Sequence, residues 1–319
     1  MRRRTLLSAL SLAPLASHAQ TMPGRHRVGV LTPSSAQWQP IVFGQALRAL
    51  GYHEERNLAL VVRDAEGRLD RLPGLASELV RDNVAVIVAI NTPGARAAID
   101  ATKSIPVVMT VVGDPMATGL VSNLARPDGN ATGVSNLGRE LTQKRLQLLV
   151  EVLPDLRRLA VLHHPVDPVV APQIDDVKAA ASRLGIEVRF FPVHSEPELV
   201  EAFNAMSRWH AQAVLRLYGQ AFALSTATIE LAARARLPAM LLSKEEVAAG
   251  ALMAYEASRP ELFRRAAHLV DRILKGSKPQ DLPVEQPTKF EFAINLKTAG
   301  TIGLVVPPTL LALADEVVE

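Results

Sequence analysis

Short, wholly apolar runs alternate with longer amphipathic stretches along most of this chain, and few architectures tolerate that rhythm. Residues 84–90 (VAVIVAI) are the clearest case. Apolar at odd and even positions alike, they suit a strand covered on both faces, as in a buried parallel sheet. Similar runs are expected to form strands at 27–32, 58–63 and 107–112, with helices up to Leu50, over 68–81 and over 94–102 between them. The pattern restarts after Thr132–Asn136, with helices over 139–153, 169–184, 196–208 and 221–236. Strands at 158–162, 187–191, 213–217 and 239–242 separate them. Such alternation implies parallel α/β sheets with right-handed crossovers. Two successive runs imply two sheets.

Beyond Lys275 the rhythm stops. Lys275-Gly276-Ser277-Lys278-Pro279 breaks a helix that begins near Pro260, and Pro279, Pro283 and Pro287 punctuate an extended segment. It leads to residues 289–295 (KFEFAIN), which alternate like a half-exposed strand, and the stretch as a whole reads as a connection that crosses between lobes.

The first nineteen residues have a different purpose. Arg2, Arg3 and Arg4 precede an apolar run over 6–16, and Ser17-His18-Ala19 closes it. A basic start, a short apolar core and small residues at a cut site make a cleavable secretory signal. The run is too short to span a bilayer, which takes ~20 residues. Cleavage is expected after Ala19, by either the Sec or the twin-arginine route, giving a periplasmic protein. With no cysteine in the sequence, that protein has neither disulfides nor the lipid-bearing cysteine of a lipoprotein. The chain carries 35 Lys and Arg against 32 Asp and Glu, and the three leader arginines account for the difference. The balanced remainder fits neither a nucleic-acid binder nor a protein held on an anionic membrane. A soluble monomer is expected.

Enzyme motifs are missing. Thr32-Pro33-Ser34-Ser35 follows the first strand where a glycine-rich phosphate loop would stand, and neither dinucleotide nor NTP fingerprints occur. Gly133-Val134-Ser135-Asn136-Leu137-Gly138 is one residue off the spacing of a nucleophile elbow. Thiol-dependent racemases, which use paired α/β lobes, need cysteines that are absent. His163-His164 is the one adjacent histidine pair, but neighbouring side chains on a strand end point apart and make a poor metal site. No catalytic residue, cofactor or metal is expected.

In open α/β sheets, ligands lie beyond the carboxyl ends of the strands, and two facing lobes converge on one cleft. That rule selects Ser34, Ser35, Trp38, Asn91, Thr92, Gly113 and Asp114 in the first lobe. In the second it selects His163, His164, Tyr218, Gly219 and Ser243, with Tyr255 on the apparent return crossing. Thr92-Pro93-Gly94 offers a hydroxyl and backbone N–H groups at a helix start, suited to a carboxylate or to capping alone. Asp114 could meet an ammonium or cap the turn that follows. Trp38 and Tyr218 could stack on an apolar or aromatic group.

The run Gly113-Asp114-Pro115, with 123–136 (NLARPDGNATGVSN) after it, is close to a known family's pattern. So are 271–276 (DRILKG), 282–290 (LPVEQPTKF) and 295–299 (NLKTA). Over nearly all the chain beyond the leader, these segments resemble the substrate-binding proteins of ABC transporters of the tryptophan/tyrosine-uptake type. The resemblance implies a type I periplasmic-binding-protein fold, with two Rossmann-like lobes and three crossings between them. Lobe 1 is expected over 26–134 with part of 256–285, and lobe 2 over 135–255 with part of 286–319. It also implies a small-molecule ligand, an amino acid or another aromatic or carboxylated compound, delivered to a permease driven by a separate ATPase. From the family's cleft, Thr92, Asp114 and Asn136 carry over as ligand-binding positions. A sensor that presents the same ligand to a membrane receptor is the alternative.

Overall fold

The computed structural model describes residues 24–33, 38–167, 169–219 and 224–319. The expected leader, its cleavage site, Ser34 and Ser35 lie outside the described residues, and of Trp38 only the backbone is described.

Strands β1 (His26–Thr32), β2 (Leu58–Asp64), β3 (Val86–Ile90), β4 (Val107–Val112) and β5 (Ala131–Ser135) form one sheet, ordered β2-β1-β3-β4-β5. All its pairs are parallel. β3 and β4 are buried at every position, as their unbroken apolar sequence requires. Along β3 the side chains alternate between two cores. Val86, Val88 and Ile90 pack with Phe43 and Leu47 of α1 (Trp38–Ala49) and with residues of α9 (Arg259–Leu274). Ile87 and Ala89 pack with α2 (Leu72–Arg81) and α3 (Asn91–Ala101) on the other face.

The second sheet is built the same way over α4 (Gly138–Val152), β6 (Arg158–His163), α5 (Val170–Leu184), β7 (Glu187–Pro192), α6 (Glu196–Arg208) and β8 (Ala213–Arg216). It continues through α7 (Ser225–Arg234), β9 (Ala239–Leu241), α8 (Lys244–Ala248) and β10 (Met253–Ala257). The last segments add β11 (Phe290–Asn295), α10 (Leu296–Ile302), α11 (Pro308–Leu313) and β12 (Glu316–Val318). The strand order is β12-β11-β10-β9-β8-β6-β7. Gly185, in the left-handed conformation at φ +66°, ends α5 ahead of β7.

The chain passes between the sheets at 136–137, at Ser258 and at 286–289. Before the last passage, Glu285 lies along β5, its N–H on the Gly133 carbonyl at 2.8 Å and its carbonyl on the Ser135 N–H at 2.9 Å. The segment after Lys275 thus leads through this passage to residues 289–295. They form β11, antiparallel to β10 in the second sheet. Tyr255 sits inside β10, just ahead of the crossing and not on it.

Candidate ligand-binding cleft

Strand order fixes where a ligand can enter. In the first sheet β1 lies between β2 and β3, so the connections leave its two sides and the switch point opens between the ends of β1 and β3. The second sheet repeats this at β6 and β8. Asn91 and Thr92 stand at the first switch point, His163 and Tyr218 at the second. The two meet in space: the Tyr218 hydroxyl donates to the Val111 carbonyl at 2.8 Å, and Asn91 Oδ1 lies 3.3 Å from it.

A defect in β4 prepares that contact. Register with β5 shifts between Thr110 and Val112, so Val111 is the extra residue of a bulge. Its φ is +58°, a conformation costly for a β-branched residue. The bulge withdraws the Val111 carbonyl from the sheet ladder and presents it to Tyr218. Burial pushes the Tyr218 phenol above its ordinary pKa, which keeps the hydroxyl protonated as a donor. The lobes touch again at Gly113, where an added Cβ would come within 2.2 Å of Val169 Cγ2. The lobes are closed on one another here.

The remaining positions divide into two groups. Thr92 is buried, and its Oγ1 accepts the Gly113 N–H at 3.4 Å. Beside it Asn91, at φ +62°, keeps a buried Nδ2 with no hydrogen-bond partner among the described residues. His163 is buried at the end of β6 with its Nδ1 unpartnered among the described residues and its ring edge-on to Phe190. Burial holds the imidazoles of His163 and His164 below their ordinary pKa. Among the described residues no group of three or more metal-ligating side chains converges. Other candidates are engaged locally. Asp114 Oδ1 accepts the Ala117 N–H at 2.9 Å, with Arg139 Nη1 at 4.0 Å from its other oxygen. Asn136 Oδ1 accepts the Gly138 N–H at 3.0 Å. Ser243 caps α8 in a capping box with Glu246. Tyr255 stacks on Phe290 at 5.9 Å between ring centroids.

Sequence reasoning missed a buried charge cluster under the cleft. Val111, Asn136, Leu141, Arg145, Tyr218, Leu242, Tyr255, Glu256, Ala257, Arg259 and Leu262 wall a narrow cavity of about 10 Å³, room for about one water. Arg259 Nε donates to Glu256 Oε2 at 2.7 Å. Arg216, fully buried in β8, donates to Glu246 and to Ser225 Oγ. The signal for Arg145 was available. In α4 it occupies the same face as the buried Leu141, Thr142, Leu146, Leu148 and Leu149, where a solvent-facing cation does not belong.

Glu256 and Glu246 titrate in opposite senses. Burial pushes the Glu256 carboxyl up to about 7 despite Arg259. Its contribution to stability is present below its ordinary 4.5 and is lost as pH rises toward about 7. Burial would raise Glu246 as well, but Arg216, Ser225 and the Leu242 N–H hold it below its ordinary value. Its contribution is lost only as the solution becomes acid. Denaturant unfolding between pH 4.5 and 7 should therefore show a flatter pH slope in Glu256→Gln than in the parent protein. Equal slopes would remove Glu256 from the account.

Residues 40–318 match the family of ABC transporter substrate binding proteins. The chain belongs to that family. ABC transporter substrate binding proteins are binding proteins and not enzymes. The tyrosine-binding protein of Clostridioides difficile (strain R20291) is 27% identical over 266 residues, covering 82% of this chain and 75% of that protein. A conserved domain protein from Vibrio cholerae O1 biovar El Tor is 26% identical and has a TM-score of 0.85, over 92% of this chain and 99% of that one. The ABC domain from Streptococcus pneumoniae in complex with L-Trp is 24% identical, with a TM-score of 0.86 over 92% and 100% of the two chains. Among the described residues no helix is long and apolar enough to cross a membrane.

Proposed function

We propose that this chain is the periplasmic solute receptor of an ABC importer, exported by a leader that is cleaved after Ala19. It takes an amino acid or a related carboxylated compound between its lobes and delivers it to the permease. The observation that carries this reading is the meeting of the two switch points, where Tyr218 of one lobe reaches Val111 and Asn91 of the other. Closure of this kind is favoured when the solute supplies contacts that the open form lacks. The relatives that bind tyrosine and tryptophan support the amino-acid class.

Thr92 and Asn91 begin an eleven-residue helix whose N-terminus favours an anion, and the unpartnered Asn91 Nδ2 suits a ligand carboxylate. Asp114 would receive the ammonium. Isothermal titration of the parent protein, Thr92→Ala and Asp114→Ala with the amino acids should give about a tenfold loss in each variant, ~1.4 kcal/mol. Unchanged affinity in both would take these residues out of the site.

A further inference from the structure

Glu256 and Arg259 flank the crossing at Ser258, the first near the end of β10 and the second at the start of α9, which packs on the other sheet. Arg259 Nε donates to Glu256 Oε2 at 2.7 Å, and neither side chain is more than 14% exposed. The Ser258 N–H donates to the Lys289 carbonyl at 3.0 Å. This crossing is thereby tied to the one at 286–289, and the two turn together. Glu256 also borders the narrow cavity beside Tyr218. Val111 and Leu262 wall it from the first lobe, Leu141, Tyr218 and Leu242 from the second. With the lobes closed it has room for about one water. Any turn that parts these two sets of residues lets solvent reach the Glu256 carboxylate.

A carboxylate resists such drying unless cations offset it. Arg259 acts on Glu256 from α9 and Arg145 from α4. Against them stand Glu245 and Glu246 of α8, the latter paired with Arg216 of β8. Opposite Glu256 in register lies Glu291 of β11, held by Lys244 Nζ at 3.2 Å. Burial pushes the phenols of Tyr218 and Tyr255 up, so both stay neutral. Beyond Arg259, the first lobe brings only the apolar Val111 and Leu262 to this wall. Burial outweighs the cations and pushes the carboxyl up to about 7. Burial and Arg259 both lose hold when the lobes part. Burial is the larger influence, so the carboxyl falls back toward its ordinary 4.5 in the open form.

We infer that Glu256 is a proton-linked latch at the hinge: it takes up a proton as the lobes close and releases it as they open, so that acid favours the closed form. The latch itself needs only the two lobes and the cavity they share. Its effect on solute affinity rests on the receptor reading above. A carboxyl that holds its proton more tightly in the closed form stabilises that form below about 7, and the stabilisation fades as pH rises through that value.

The test titrates the purified protein with L-tyrosine and L-tryptophan by calorimetry, in buffers of low and high ionisation enthalpy. Affinity should rise about tenfold from pH 8 to pH 6. At pH 6.5, binding should take up about half a proton or more per solute. Glu256→Gln cannot titrate and should lose both effects, which separates Glu256 from His163 and His164, whose imidazoles burial holds below their ordinary pKa. The proton count needs no variant, so it stands even where Glu256→Gln does not fold. Small-angle scattering of the ligand-free protein supplies a second reading: its radius of gyration should be smaller at pH 6 than at pH 8. Binding without proton uptake, or a pH dependence that survives in Glu256→Gln, would overturn the latch while leaving the receptor reading intact. Failure of both amino acids to bind would count against that reading alone. Scattering then decides for the latch, and an equal radius at the two pH values would overturn it.

Discussion

Replacing Gly113 by valine is expected to weaken solute binding tenfold to a hundredfold while moving the melting temperature of the ligand-free protein by no more than a few degrees. The two effects separate because the obstruction lies between lobes. A Cβ at Gly113 would meet Val169 Cγ2 at 2.2 Å and Val169 Cβ at 3.4 Å. Val169 belongs to the approach to α5 in the other lobe, and its β-branched side chain cannot swing aside as a long one could. Within its own lobe Gly113 faces no such barrier. The substitution therefore penalises the closed form and spares the open one, which lowers apparent affinity in proportion to the closed population lost. The expected range corresponds to ~1.4–2.8 kcal/mol. Calorimetric titration beside a thermal melt reads both quantities. Full affinity in Gly113→Val would mean that the lobes do not close along this contact.

The second large effect falls on stability. Glu246→Ala should cost about 3–5 kcal/mol, because it strands Arg216 as a buried cation. Arg216 is 1% exposed at the end of β8, and Glu246 is its carboxylate partner. The same carboxylate accepts the N–H groups of Leu242 and Ser243 at 2.9 and 3.0 Å, so the start of α8 loses its cap as well. Denaturant midpoints measure the loss. The double variant Arg216→Met, Glu246→Leu should recover most of it, since an apolar pair of similar volume often replaces a buried ion pair at little cost. A loss below about 1 kcal/mol in Glu246→Ala would contradict this assignment, because breaking a buried pair ordinarily costs more.

Much of this architecture is legible in the sequence, for reasons tied to burial. β3 and β4 declare themselves because both faces are covered and no polar residue interrupts Val86–Ile90. Strand ends follow from topology, which is how Thr92, Gly113 and Tyr218 can be picked out from spacing alone. The C-terminal additions are harder to see. β12 has three residues and α11 six, too short for periodicity to build. Nor does the run 107–112 (VVMTVV) betray a bulge, since every residue in it is apolar or β-branched and any register would suit. Yet that bulge turns the Val111 carbonyl toward Tyr218 and makes the tyrosine a link between lobes, a different role from the stacking its ring suggested. Arg145 lay in plain view on the buried face of an amphipathic helix. A single charge barely disturbs an apolar stripe, so periodicity alone does not mark it.

The most direct measurement is calorimetric titration of the purified protein with amino acids and related carboxylated compounds, run in parallel on Gly113→Val. A receptor that closes on its solute should take up at least one of them at one site per chain. At about a hundredfold excess over the Kd, that solute should stabilise the protein by ~2.7 kcal/mol, and Gly113→Val should lose most of the binding. Absence of heat and of any thermal shift across the panel, or equal binding by both proteins, would contradict the account.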